Sequence, residues 1–222
     1  MLNVFGILRP DSIEGLPLSY IHLEFSYPTD NIPDSSIIPD AQVKIIKMDG
    51  IAAVDSFVFN YTDLGIFPTR EYRNTSFFPQ KGTYRLICRK DGFPVLSAET
   101  IVPNVPVIQE ETVQRQGNSL SFQILRDEQV GLYEVALEGS NWLIKDRFLR
   151  PNSGDVPISF SLDEIPSGAC QLTIYAFDLN LSEYLTVNLS IKPNIYQKDF
   201  STVENGFGCF GAMNIYRKVI EI

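Results

Sequence analysis

Near the end of the chain, Gly206-Phe207-Gly208-Cys209-Phe210-Gly211 spells GxGxxG, the spacing with which a strand, a tight turn and a helix N-terminus cradle a pyrophosphate. That chemistry needs further βαβ structure and an acidic residue about 20 positions on. Only 11 residues follow Gly211, so the glycines are expected to serve close backbone packing instead, with Phe207 and Phe210 buried. His22 is the one histidine; it lies on the polar side of an alternating stretch, at metal-ligand spacing from no cysteine, and a general-base role would have to be assembled from remote residues. A surface or interface role is the expectation for it. No GxSxG elbow, HExxH or P-loop occurs, so the sequence assigns no catalytic, cofactor-binding or metal-binding residue.

Asp30, Asp34 and Asp40 are oxygen donors on one loop, but their spacing is not that of an EF-hand and no bidentate glutamate closes the set; a solvated acidic loop is expected. Paired carboxylates for glycoside hydrolysis are defined by a separation in space, and nothing singles out a pair. Cys88, Cys170 and Cys209 are odd in number and form no CxxC, so they are expected as small buried hydrophobes, with a Cys170–Cys209 disulfide as the alternative. Trp142 can be a stacking platform for a sugar or a partner, or core packing between two sheets, and packing is the expectation. Asn60, Asn74, Asn180 and Asn188 head N-glycosylation sequons, which matter only in a eukaryotic secretory pathway.

The elements that must hold these residues are strands. Ile21-His22-Leu23-Glu24-Phe25-Ser26-Tyr27 alternates apolar and polar side chains, and Val156, Ile158, Phe160 and Leu162 alternate with Pro157, Ser159, Ser161 and Asp163. Asp49-Gly50 and Asp91-Gly92 supply the positive φ of tight hairpins, which predicts antiparallel pairing. Long amphipathic helices are missing, so a parallel sheet with helical crossovers has nothing to build it. One short helix is expected near 181–191, with Asn180 as its cap and Leu181, Leu185 and Leu189 on one face; the same stretch also alternates as a strand would. Residues 28–40, with three prolines, predict a long loop.

A chain of 222 residues, 44% hydrophobic, with 15 Phe and 10 Tyr, is long enough for two sandwiches of about a hundred residues each. Val102-Pro103-Asn104-Val105-Pro106 breaks any central ladder and places the boundary, giving domains 1–105 and 106–222. The fold class expected is all-β: two sandwich-type domains. The net charge of −9 opposes polyanions, so nucleic acid and anionic membrane surfaces are not expected partners, and Arg85 and Arg89, alternating with Tyr84, Leu86 and Cys88, read as the solvated face of a strand. No apolar run approaches the roughly 20 residues that span a bilayer.

Four stretches together resemble a family of Bacteroidetes lipoproteins known as a domain of unknown function. They are Leu2-Asn3-Val4-Phe5-Gly6-Ile7-Leu8; Ile38-Pro39-Asp40-Ala41-Gln42-Val43-Lys44-Ile45; Gly82-Thr83-Tyr84-Arg85-Leu86 running through Asp91-Gly92 to Val102-Pro103; and Val203 to Gly211, preceded by Ser-x-x-Tyr-Leu at Ser182 to Leu185. The resemblance implies that the first of the two sandwich-type domains is immunoglobulin-like or transthyretin-like, and it implies an outer-membrane protein anchored through a lipidated cysteine that this sequence does not contain, facing the periplasm or the cell surface. It also implies a neighbouring TonB-dependent transporter as partner. Asp11-Ser12-Ile13 resembles the short motif at which extracytoplasmic proteins of that phylum are O-glycosylated, which would place a sugar on Ser12; an ordinary turn is the simpler expectation.

The function expected is a non-enzymatic binding or accessory module beside such a transporter, without cofactors. The alternative is an adhesin or structural envelope protein, and behind it stands a carbohydrate-binding or hydrolytic domain with a glycan as ligand.

Overall fold

The computed structural model describes residues 1–26, 36–63, 70–163, 165–187 and 201–222. In chain order these form β1 (Leu2–Leu8), β2 (Ser12–Ile13), β3 (Leu16–Pro17), β4 (Tyr20–Phe25), β5 (Gln42–Asp49), β6 (Ala52–Asp63), β7 (Arg70–Arg73), β8 (Gly82–Arg89) and β9 (Leu96–Val102). After the proline connector come β10 (Ile108–Gln116), β11 (Ser119–Ile124), β12 (Val130–Glu138), β13 (Leu143–Leu149), β14 (Val156–Ser161) and β15 (Ala169–Asp178), then the helix α1 (Leu179–Val187) and strands β16 (Val203–Glu204) and β17 (Gly206–Glu221). The protein is all-β with one short helix.

Twelve strands join in one sheet, ordered β13-β12-β15-β17-β1-β4-β7-β6-β5-β8-β9-β16, while β10-β11-β14 make a second sheet and β2-β3 a separate hairpin. Alternation explains the first core. Leu2, Val4 and Leu8 of β1, Ile21 and Leu23 of β4, Val43 and Ile45 of β5, and Tyr84, Leu86 and Cys88 of β8 all turn to the same cluster, as the period of two dictates. The sheet curls around that cluster. β16 pairs with β9, and Asn205, in the left-handed region at φ 59°, turns the chain directly into β17, which pairs with β1; a sandwich results.

The second sandwich packs β13-β12-β15 and the later half of β17 against β10-β11-β14, over Phe122, Ile124, Tyr133, Val135, Leu137, Ile158, Phe160 and Ile174. β17 therefore belongs to both. Its residues 206–212 run beside β1, and residues 213–221 beside β15. Phe210 and Ala212 are buried in the first core, while Tyr216 and Ile220 pack on the second. The Pro103–Pro106 connector carries the chain from the first core to the second, and Val203 through Ala212 return to the first.

Two expectations are corrected here. Among the described residues, pairing is antiparallel except between β1 and β17, which run parallel. Hairpin turns impose antiparallel order only on neighbours in sequence, whereas these strands are separated by nearly the whole chain and nothing local sets their direction. The helix begins at Leu179, not 181, and its cap is Asp178, whose Oδ1 accepts the Leu181 N–H at 2.9 Å. Leu181 is buried and Leu185 packs beside it, as the helical spacing predicts; Leu189 lies outside the described residues. Helix α1 covers the outer face of the large sheet where the sandwiches meet, in a third cluster with Leu132, Phe177, Cys209 and Met213.

The predicted hairpin glycines hold: Gly50 has φ 57° and Gly92 φ 82°. Sheet edges are blunted. β10 bulges between Gln109 and Gln114, where the Thr112 hydroxyl oxygen accepts the Gln123 N–H at 2.8 Å, and Pro157 sits on β14, an edge strand.

Candidate functional site

The junction of the two sandwiches is built from short polar bridges. Asp178, at the end of β15, is 3% exposed. Its Oδ2 accepts the Thr100 hydroxyl of β9 at 2.5 Å, and its Oδ1 accepts the N–H groups of Leu181 and Ala212 at 2.9 and 3.0 Å. One carboxyl thus ties together β9, β15, α1 and β17. Burial pushes it up to about 6, against the downward pull of those donors. Beside it, Asn180 Nδ2 donates to the carbonyls of Glu99 at 2.7 Å and Phe210 at 3.0 Å, and Asn214 Nδ2 donates to Pro103 at 3.0 Å. The amide N–H and side-chain Nδ2 of Asn104 reach Asp127 Oδ2 at 3.0 and 2.8 Å.

The GxGxxG run makes this closeness possible. At Gly208, whose φ is +114°, a Cβ would overlap the Val4 carbonyl oxygen, and at Gly211 it would come within 2.7 Å of Leu181 Cβ. The glycines serve packing, as expected, and Phe210 is buried; Phe207 is only half-buried, because it lies beside Asn3 on the outer face of the sheet.

Where the proline connector crosses from one sandwich to the other lies a cleft of about 750 Å³. Pro10, Pro79, Gln80 and Lys81 wall it from the first sandwich, and Leu125, Arg126, Asp127, Tyr133 and Asn214 from the second, with Asn104 to Val107 between. Val105, Val107 and Leu125 leave half or more of their surface in solvent. The Tyr133 hydroxyl is held up at about 12 by burial, so at neutral pH it is an uncharged donor. Arg126 is already engaged, by Glu128 at 2.8 Å and by the Pro151 carbonyl at 2.7 Å, whereas Lys81 forms no ion pair among the described residues. The cleft has the size of a ligand site and a mixed apolar and polar lining.

None of Trp142, Ser12, His22, Asp40 and the three cysteines, the residues singled out in the sequence, lines this cleft. Trp142 is half-buried, folded back over Gly139 in the β12–β13 turn and packed on the second core, with the Gly139 N–H donating to its carbonyl at 3.0 Å. Ser12 is exposed in the β2–β3 hairpin, whose turn residues Glu14 and Gly15 have φ of 51° and 80°. His22 Nε2 stands 3.6 Å from Glu24 Oε2; their mutual attraction raises His22 and lowers Glu24. Ser36 donates its hydroxyl to Glu24 at 2.9 Å. Cys88, Cys170 and Cys209 are free and buried, each in a different cluster, so the reading as small buried hydrophobes holds and the disulfide alternative does not. Asp40 pairs with Lys90 at 2.6 Å; Asp30 and Asp34 lie outside the described residues. Among the described residues, no group of three or more His, Cys, Asp or Glu could hold a metal ion.

Sequence reasoning missed Asp178 and Thr100. The available signal was an aspartate closing a long apolar strand just before a helical stretch, the position of an N-cap.

No family model matches the chain, and no curated protein does. Solved structures that align with it include a cytokine receptor complex, at 9% identity and a TM-score of 0.33 over 99% of this chain and 95% of that one. Another is the chicken interferon gamma receptor alpha chain, at 11% identity and a TM-score of 0.24 over 78% of this chain and 87% of that one. Alignments this loose carry no argument about function.

Proposed function

We propose that this protein is a non-enzymatic binding module of the bacterial cell envelope, lipid-anchored at the outer membrane and working beside a TonB-dependent transporter, with the junction cleft as its ligand-facing surface. The observation that carries the binding reading is the cleft itself: its two walls belong to different sandwiches, and a shared strand and the Asp178 bridges hold those sandwiches together. A preformed concave surface avoids the ordering cost that a flexible one incurs on binding. The envelope setting is supported by the family resemblance of the four sequence stretches.

Gentle detergent extraction of the native envelope followed by affinity isolation of the protein tests the reading. Recovery of a TonB-dependent transporter in stoichiometric amount is the expected result. Isolation of the protein without any transporter, under conditions that keep other envelope complexes intact, would contradict it.

A further inference from the structure

We infer that the junction cleft takes an extended polypeptide segment bearing a carboxylate beside apolar side chains, an inference that rests on the cleft being the binding surface. The floor of the cleft is a strip of backbone that the fold does not use. Among the described residues the N–H and C=O of Val105 and the N–H of Val107 have no hydrogen-bond partner, whereas the Asn104 N–H is taken by Asp127, the Pro103 carbonyl by Asn214 and the Val107 carbonyl by the Leu125 N–H at 2.8 Å. Pro103 and Pro106 lack an N–H and keep the strip out of both sheets. A donor and an acceptor on one exposed connector residue match the backbone of an extended chain, the basis of recognition by strand addition.

The side chains around the strip narrow the choice. Val105, Val107 and Leu125 are 50%, 53% and 50% exposed, so an alternating apolar segment would gain burial there. Of the two cations on the walls, Arg126 shares the single carboxylate of Glu128 with Arg150, while Lys81 has no ion pair among the described residues. The carboxylate of Asp127 is occupied, Oδ2 by Asn104 and Oδ1 by the Gln129 N–H at 2.9 Å. Those donors are neutral and leave Asp127 its charge, but the walls carry two cations, Lys81 and Arg126, against this one carboxylate, so the cleft is positive on balance and its complement is a carboxylate.

The test uses the full chain with labelled Val and Leu methyl groups. Four probes are titrated: a capped nine-residue peptide of alternating Val and Glu, the same peptide with Lys for Glu, the Glu peptide with N-methylated backbone, and a neutral oligosaccharide. The Glu peptide is expected to shift the Val105, Val107 and Leu125 signals, with at least tenfold weaker binding after N-methylation or Lys replacement. In the exposed-site variant Lys81→Glu the preference should invert toward the Lys peptide. Equal binding of the N-methylated or Lys peptide would overturn the inference. Shifts of these signals by the oligosaccharide alone would keep the cleft as the binding surface and refute its polypeptide occupant; binding of the Glu peptide with the cleft signals unmoved would refute both.

Discussion

Asp178 and Glu24 each gather three partners. Asp178 accepts from Thr100, Leu181 and Ala212; Glu24 accepts from Asn3 at 3.2 Å and Ser36 at 2.9 Å and faces the His22 imidazole. Their ionisation nevertheless moves in opposite directions, up to about 6 for Asp178 and down for Glu24. The His22 imidazole beside Glu24 outweighs its partial burial, whereas at Asp178 burial outweighs every donor. Asp178 is sealed where α1, β9, β15 and β17 meet, while the Glu24 side chain keeps 31% of its surface exposed on the outer face of β4. A similar set of donors is thus a structural weld in one place and a weak, pH-tunable surface cluster in the other.

Substitutions should separate the two regions by size of effect. Gly208→Ala should be the most damaging, by about 3–5 kcal/mol, because a Cβ there collides with the Val4 backbone at a φ reserved for glycine and so splits β17 from β1. Urea denaturation measures it, and a near-neutral result would refute the parallel register. Asp178→Ala leaves two buried N–H groups and the Thr100 hydroxyl without their acceptor, for an expected loss of about 3 kcal/mol.

Asp178→Asn sharpens the comparison. The amide oxygen can keep both N–H donors while the charge disappears. In the wild-type protein the folded state holds this proton up to about 6 and the unfolded chain only to 3.8, so the folded state binds more protons between those values. Stability from this group is therefore fully present below 3.8 and is lost as pH rises through about 6, a span on the order of 2–3 kcal/mol. The asparagine variant should lack that slope and match or exceed the wild type at pH 7.5, as read by denaturation at a series of pH values.

Glu24→Gln should cost least, about 0.5 kcal/mol, since the pair is partly exposed. Its effect should be greatest between pH 4.5 and 6.5, fading as pH falls through the lowered Glu24 value or rises through the raised His22 value. Salt should erase it, and should leave the Asp178 effects largely intact.

Much of the fold was legible because each strand's own alternation declares its buried face. Ile21 and Leu23 point to the core with His22 and Glu24 outside, and Val156, Ile158 and Phe160 do the same against Pro157 and Ser159. Gly50 and Gly92 announced their turns through the one property glycine has locally. What stayed hidden depends on partners distant in sequence. Nothing in Gly206 to Glu221 tells that its first half runs parallel to β1 and its second half antiparallel to β15. The glycines signalled close approach, but not the Val4 carbonyl as the neighbour approached. The Asp178–Thr100 contact joins residues 78 positions apart, and the cleft draws its walls from residues as distant as Pro10 and Asn214.

The claim that the two sandwiches act as one preformed unit is tested most directly by differential scanning calorimetry of the full chain and of Asp178→Ala. The account predicts a single transition with equal calorimetric and van't Hoff enthalpies, shifted as a whole to lower temperature in the variant. Two separate transitions, with the substitution moving only one of them, would contradict it.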